Sequence, residues 1–279
     1  MENNKNKEAL LKLFDKISKV ESDNSGYSIG KSTIRKVFDA TQSYSKEDLL
    51  ARLTIIDSMY STQMNRRYYG LEELAEVLYD ISKKKTLSDA FIDFLKEKDF
   101  NLFKISDKDT NLFTERYGIG KNGEDKGRAV SLISKYAYFE THYQFPIYDS
   151  IVREMYPRIW NYCGFSPEKM LKIKTNDIES FIDAINSLIK ELNHPTVNYD
   201  SLDRVLWYVG KIQRGNLSLI LSRTEYEAFV KKYPQQFKKK EKEETKFIFD
   251  IATVDLETLP LEQKDGIIYD FFVLAKNLK

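Results

Sequence analysis

The sequence predicts a mainly helical fold, and three observations support it. Apolar residues recur at intervals of three and four over most of the chain. Only 6 Pro and 11 Gly interrupt 279 residues, so few breakers stand inside the periodic stretches. Helix-start chemistry appears where such stretches begin, as in Ser45 followed by Asp48 and in Ser166-Pro167-Glu168.

The elements follow in order. Leu10, Leu13, Phe14, Ile17 and Val20 share one face of a first helix. The helix after Ser45 carries Leu49, Leu50, Leu53, Ile55, Ile56 and Met59. Leu71 to Ile81 repeats the pattern with Leu74, Val77 and Leu78, and Phe91, Phe94 and Leu95 mark another helix. Tyr117-Gly118-Ile119-Gly120 breaks the periodicity, and a polar stretch runs on to Gly127. A strongly apolar helix is expected from about Arg128 to Phe139. An extended link then ends at Pro146, and a new helix starts near Asp149 and runs past Met155. Thr175 to Leu192 and Asp200 to Ile212 read as amphipathic helices. Phe247 to Val254 is too short to assign to strand or helix, and Leu261 to Leu278 closes the chain as a helix. The charged run Lys238–Glu244 divides a helical region, 1–237, from a C-terminal extension, 238–279.

Composition narrows the function classes. The single cysteine, Cys163, excludes an internal disulfide framework and fits a reducing compartment. The N-terminal residues are polar and lack the apolar core of a signal peptide. No apolar run reaches the roughly 18 residues of a membrane span. Cytoplasmic residence without membrane partners is therefore the expectation. Net charge is +1, from 44 basic and 43 acidic residues, which neither supports nor excludes nucleic acid, since a binder needs only a local basic surface. The mixed signs of Lys238–Glu244 suit a solvated face or linker better than a phosphate site. His142 and His194 make no metal-ligand spacing with one cysteine. Phosphate-loop, dinucleotide and nucleophile-elbow patterns do not occur. No metal or cofactor is expected.

Four segments carry the functional reading: Met59-Tyr60-Ser61-Thr62-Gln63-Met64-Asn65, Tyr117-Gly118-Ile119-Gly120-Lys121 through Gly127, the apolar helix Ala129 to Tyr136, and Phe145-Pro146-Ile147-Tyr148-Asp149-Ser150-Ile151-Val152-Arg153. In this order they resemble the helix-hairpin-helix superfamily of DNA glycosylases, in its 8-oxoguanine-glycosylase-like branch, over roughly Leu49 to Gly210. The resemblance implies a two-lobed helical fold with interleaved lobes and DNA as partner. It implies excision of a damaged or modified base, with defence against phage carrying modified DNA as one setting. It also implies a Gly-rich hairpin on phosphate (Gly118, Gly120, Lys121, with Arg128 behind it), and Gln63 and Asn65 at the gap left by the extruded base. Arg66 and Arg67 are candidate phosphate contacts beside that gap.

Physical chemistry supports these residue types. An extruded base must be held in a pocket. Positive charge develops on the sugar as the base leaves, so a fixed carboxylate stabilises it and can orient water. Asp149 suits that role at a helix start, where it is equally well explained as a helix cap. Strand-cleaving relatives place a lysine early in the helix after the hairpin. At that spacing from Asp149 stand Val130 and Ser131. Lys126 and Lys135 are the nearest amines, Lys135 being equally readable as ion-paired or snorkelling. Arg128 stays protonated and is no nucleophile. Without a reacting lysine, Asp149 works alone in a monofunctional glycosylase. Tyr148, Trp207 and Tyr208 are candidate base-pocket walls, with core packing as the alternative for the last two. A non-catalytic helical module that binds DNA or protein is the competing reading.

Overall fold

Segments far apart in sequence assemble into two units. In the computed structural model, residues Met1–Ile29, Ser150–Met170 and Ser187–Lys279 form one, and Gly30–Asp149 with Leu171–Asn186 form the other. The structure describes residues 2–19, 26–41, 43–106, 108–120, 123, 127–234, 250–261 and 266–278. The division expected near Lys238–Glu244 lies outside them.

The fold is mainly helical. The helices among the described residues are α1 (Glu2–Ser18), α2 (Gly26–Ala40), α3 (Lys46–Tyr60), α4 (Gly70–Ser82), α5 (Leu87–Glu97), α6 (Val130–Glu140), α7 (Ser150–Tyr162), α8 (Ile178–Leu192), α9 (Tyr199–Gln213), α10 (Arg223–Lys232) and α11 (Ile267–Asn277). Local chemistry sets their ends. Ser45 Oγ accepts the Asp48 N–H at 3.1 Å and starts α3. Reciprocal capping boxes open α9 at Asn198 and α10 at Ser222.

Several expected boundaries move. Asp177 Oδ1 accepts the Ser180 N–H at 3.0 Å, so α8 starts at Ile178 rather than Thr175. The α6 helix starts at Val130 because Gly127–Arg128 is committed to a strand. Ser166-Pro167-Glu168 opens a single 3-10 turn rather than an α-helix. Asp250–Val254 also contains a 3-10 turn, and the closing helix begins at Ile267 rather than Leu261.

In the first unit, α9 packs on α7 and α11, and α1 packs on α11, α9 and α7. Gly210 permits the α7–α9 approach, since a Cβ there would collide with Ile151 Cγ2. Tyr208 stacks on Phe271 with centroids 4.4 Å apart and rings 6° from parallel.

In the second unit, α3 packs on α4 and α6, and α5 packs on α6. Phe91, Phe94, Phe103, Phe113 and Phe145 form a buried ring cluster under these helices. Each such ring contributes roughly 1.5–3 kcal/mol by leaving water. One antiparallel hairpin joins them: β1 (Arg116–Tyr117) and β2 (Gly127–Arg128), with Arg116 opposite Arg128 and Tyr117 opposite Gly127.

Candidate functional site

The site lies within the second unit, on α6 and the link that follows it. An α-helix places residues four apart on one face. Ser131 and Lys135 are such a pair, and Lys135 Nζ donates to Ser131 Oγ at 2.7 Å. The link from Thr141 then returns along the helix. Ser134 Oγ accepts the Tyr148 N–H at 2.9 Å, which sets Asp149 beside Lys135. Lys135 Nζ donates to Asp149 Oδ2 at 3.2 Å. Tyr60, the last residue of α3, places its ring centroid 5.3 Å from the same ammonium.

Exposure is uneven across this ion pair. The Lys135 side chain is 1% exposed and that of Asp149 is 24% exposed. A buried ammonium costs free energy unless it is paired and hydrogen-bonded. Here one carboxylate, one hydroxyl and one ring supply the partners. Asp149 immediately precedes Ser150, the first residue of α7, as expected of a residue at a helix start.

The segment after Tyr60 is held by a buried carboxylate. Asp57 accepts the Met64 N–H at 2.8 Å and the Asn65 N–H at 2.9 Å, and also the Thr62 hydroxyl. Asp57 is fully buried, so these bonds fix the turn that carries Gln63, Asn65 and Arg66, all exposed. Gln63 adopts φ 67°, a left-handed conformation that is uncommon for a residue with a side chain.

The hairpin departs from expectation in two ways. A strand, β1, precedes the glycine segment where the sequence showed only a break in periodicity. The Gly118 N–H, expected to meet phosphate, instead donates to Glu73 Oε2 at 3.0 Å. The Ile119 N–H donates to Tyr68 O at 2.9 Å. These two amides serve the hairpin's attachment to the 61–70 segment. Gly118 has φ 72°, and a Cβ there would meet Gly70 Cα at 2.9 Å and Arg67 Cβ at 2.8 Å. Gly120 O accepts the Gly123 N–H at 3.0 Å within the loop. Arg128 is exposed on β2. Lys121 and Lys126 lie outside the described residues.

The aromatic candidates are spread between the units. Tyr148 is buried, its ring centroid 5.1 Å from that of Phe181, and its hydroxyl accepts the Asn176 N–H at 2.7 Å. Tyr208 is buried against Phe271. Neither ring has an open face for a base, so packing explains both. Trp207, on α9 in the first unit, is half-buried beside Tyr208, with Lys211 Nζ 5.5 Å from its ring.

The structure therefore brings Lys135 and Asp149 together and adds Ser131, Tyr60, Asp57 and Glu73, which sequence reading did not single out as site residues. The Ser131–Lys135 spacing was readable on one helix face. Nothing local signalled the others. Among the described residues, no group of three or more His, Cys, Asp or Glu side chains could hold a metal ion, and no helix is long and apolar enough to cross a membrane. Comparison with family models, curated proteins and solved structures returns no match.

Proposed function

We propose that the chain is a DNA glycosylase in which Asp149 acts on the sugar and Lys135 positions it. One observation carries this reading: a buried ammonium holds a carboxylate that itself reaches solvent, with exposures of 1% and 24%. A carboxylate fixed in this way suits a reaction that builds positive charge on a sugar. In the proposed step the bond from C1′ to the base nitrogen breaks, and the base leaves with the electron pair and takes up a proton. A water oxygen, its proton passing to Asp149, bonds to C1′ and leaves an abasic sugar. A lysine so enclosed is a positioning residue in this scheme, so strand cleavage is not expected. The exposed Gln63, Asn65, Arg66 and Arg128 are proposed to contact DNA.

The test is base release from oligonucleotides carrying varied lesions and modified cytosines, the latter because defence against modified phage DNA falls within the proposal. Asp149→Asn is expected to lower single-turnover base release by roughly 10²–10³-fold. Lys135→Met is expected to lower the rate at saturating DNA more than it weakens binding. Borohydride is expected to trap no enzyme–DNA adduct, and a trapped adduct would move Lys135 into the reacting role. Undiminished release by the Asp149→Asn protein would end the catalytic assignment.

A second reading, a DNA-binding module without chemistry, is favoured by the Lys135–Asp149 ion pair itself, since a carboxylate held in a salt bridge can serve packing alone. Salt-dependent binding with no base release across the same panel would establish it.

A further inference from the structure

Helix α6 brings one hydroxyl to the place where the proposed step needs a partner for its water. Every residue of α6 except Ser131 is buried, and Ser131 is half-buried. A serine inside a helix often returns its proton to a carbonyl three or four residues back. Ser134 does this, donating to Ser131 O at 3.0 Å while its oxygen accepts the Tyr148 N–H. Thr141, which ends the helix, does the same to Ala137 O at 2.7 Å. Ser131 does not. Its oxygen accepts from Lys135 Nζ at 2.7 Å, and no acceptor for its proton stands among the described residues.

The lysine fixes this hydroxyl relative to the carboxylate of Asp149. An ammonium carries three donors, and three groups surround that of Lys135. They are Ser131 Oγ at 2.7 Å, Asp149 Oδ2 at 3.2 Å and the Tyr60 ring, its centroid at 5.3 Å. Near-tetrahedral directions from one nitrogen put the two oxygens about 5 Å apart, the span that a single bridging water covers with two ordinary hydrogen bonds. A hydroxyl that accepts from an ammonium is polarised and becomes the stronger donor. The Asp149 carboxylate, 24% exposed, is an acceptor. A fixed donor and a fixed acceptor at that separation match the lone pair and the proton of one water.

We infer that Ser131 is a catalytic residue that holds the attacking water against Asp149. The inference rests on the excision reading above and adds a second contact to the water of that step. The Ser131 hydroxyl donates to the water oxygen and keeps its proton throughout. One water proton passes to Asp149, and the remaining lone pair of the water bonds to C1′ as the base departs. A sugar with oxocarbenium character reacts with weak nucleophiles, so the position of the water counts for more than its basicity.

The experiment is a double-mutant cycle on single-turnover base release at saturating DNA. It uses the full chain with Ser131→Ala, with Lys135→Met and with both changes. Loss of a hydroxyl that touches the water is expected to lower the rate by roughly tenfold, with DNA affinity unchanged. A fall is expected in the Lys135→Met background as well, where a serine acting only through the lysine would have nothing left to support. If the double variant fails to fold, release in the presence of methanol makes the test with Ser131→Ala alone. Removing the hydroxyl frees the water and makes room for a methyl group, so the share of methyl glycoside among the sugar products is expected to rise. An unchanged share, or a Ser131→Ala change that is silent once Lys135 is gone, would overturn the inference and leave Ser131 as a support for the ammonium. A loss confined to DNA affinity would also overturn it, since the hydroxyl would then meet DNA rather than water. Base release that depends on Asp149 but ignores Ser131 would remove this inference and keep the excision reading. No base release from any substrate by the unaltered protein would remove both.

Discussion

Helix α6 carries two buried ion pairs that differ in what surrounds them. Glu140 meets Arg52 at 2.8 Å, with side-chain exposures of 7% and 5%. The Tyr44 and Tyr136 hydroxyls donate to the same carboxylate at 2.6 and 3.1 Å. Arg52 also donates to the Thr41 hydroxyl at 2.9 Å and to the Thr41 carbonyl. Both partners are enclosed, and both are heavily hydrogen-bonded. Lys135 and Asp149 form an asymmetric pair in which only the cation is enclosed. A closed network fixes the packing of α3 against α6 and has no group left to present. An open pair holds one group firmly while keeping it within reach of a ligand. A buried ion pair by itself therefore does not mark a functional site. Uneven burial of its two partners is the more informative feature.

The largest expected effect tests the closed pair. Arg52→Met leaves Glu140 buried without a cation and is expected to cost about 3–5 kcal/mol in denaturant unfolding. A loss under about 1 kcal/mol would show that the tyrosines suffice and would erase the contrast. Tyr44→Phe is expected to cost about 1–2 kcal/mol, since it removes one hydrogen bond to a charged group.

The same network predicts a pH response. Burial, followed by the neighbouring Glu140 carboxylate, raises the Tyr44 and Tyr136 hydroxyls above the ordinary tyrosine range. Burial also pushes the Cys163 thiol up to about 12. For a group raised in the folded state, the unfolded chain loses its proton first as pH rises. Stability is then full below the unfolded value, about 10 for tyrosine, and falls above it. Unfolding free energy is therefore expected to decline from about pH 9, where the unfolded thiol loses its proton, and more steeply from about pH 10, where unfolded tyrosines do; the second part is expected to be shallower in Tyr44→Phe. Equal slopes in the two proteins would remove Tyr44 from the account.

The open pair should be less sensitive. Ser131→Ala is expected to cost about 0.5–1.5 kcal/mol by removing one partner of the Lys135 ammonium. Lys135→Met takes the charge out of an apolar place and leaves an Asp149 that water can reach. It is expected to change stability by less than about 1 kcal/mol in either direction while base release falls. A strongly destabilised Lys135→Met protein would make this pair structural, like its neighbour on α6.

Much of the helical architecture was legible because it is local. Leu49, Leu53 and Ile56 recur at helical spacing, and Ser45 caps the helix as its position implies. The ends were less legible where a neighbouring commitment intervened, as at Arg128, which reads as the start of a helix until pairing with β1 claims it. Arg52 and Glu140 are 88 residues apart in sequence, and no local pattern links them. The hairpin glycines were visible as a motif, but the Glu73 carboxylate that occupies the Gly118 N–H lies 45 residues away. Tyr148 and Tyr208 looked like candidate ligands for bases because aromatic content alone does not distinguish a core ring from an open one. Spacing also pointed away from Lys135, which was read only as one of the two nearest amines. A count back from Asp149 stops at Val130 and Ser131, yet Lys135 meets it 14 residues away.

That last point follows from the single bond between Ser134 Oγ and the Tyr148 N–H. Ser134 adjoins Lys135 and Tyr148 adjoins Asp149, so this bond works as a ruler set beside the pair. Between these two pins Phe145 is buried in the ring cluster, and the bend before it is the open part of the link. His142 and Gln144 are exposed on it. Residues inserted or removed at that bend should leave the lysine–aspartate distance nearly untouched, whereas loss of one small hydroxyl at Ser134 should blur it. Proteins sharing this device would keep the same geometry while disagreeing on the number of residues between its members.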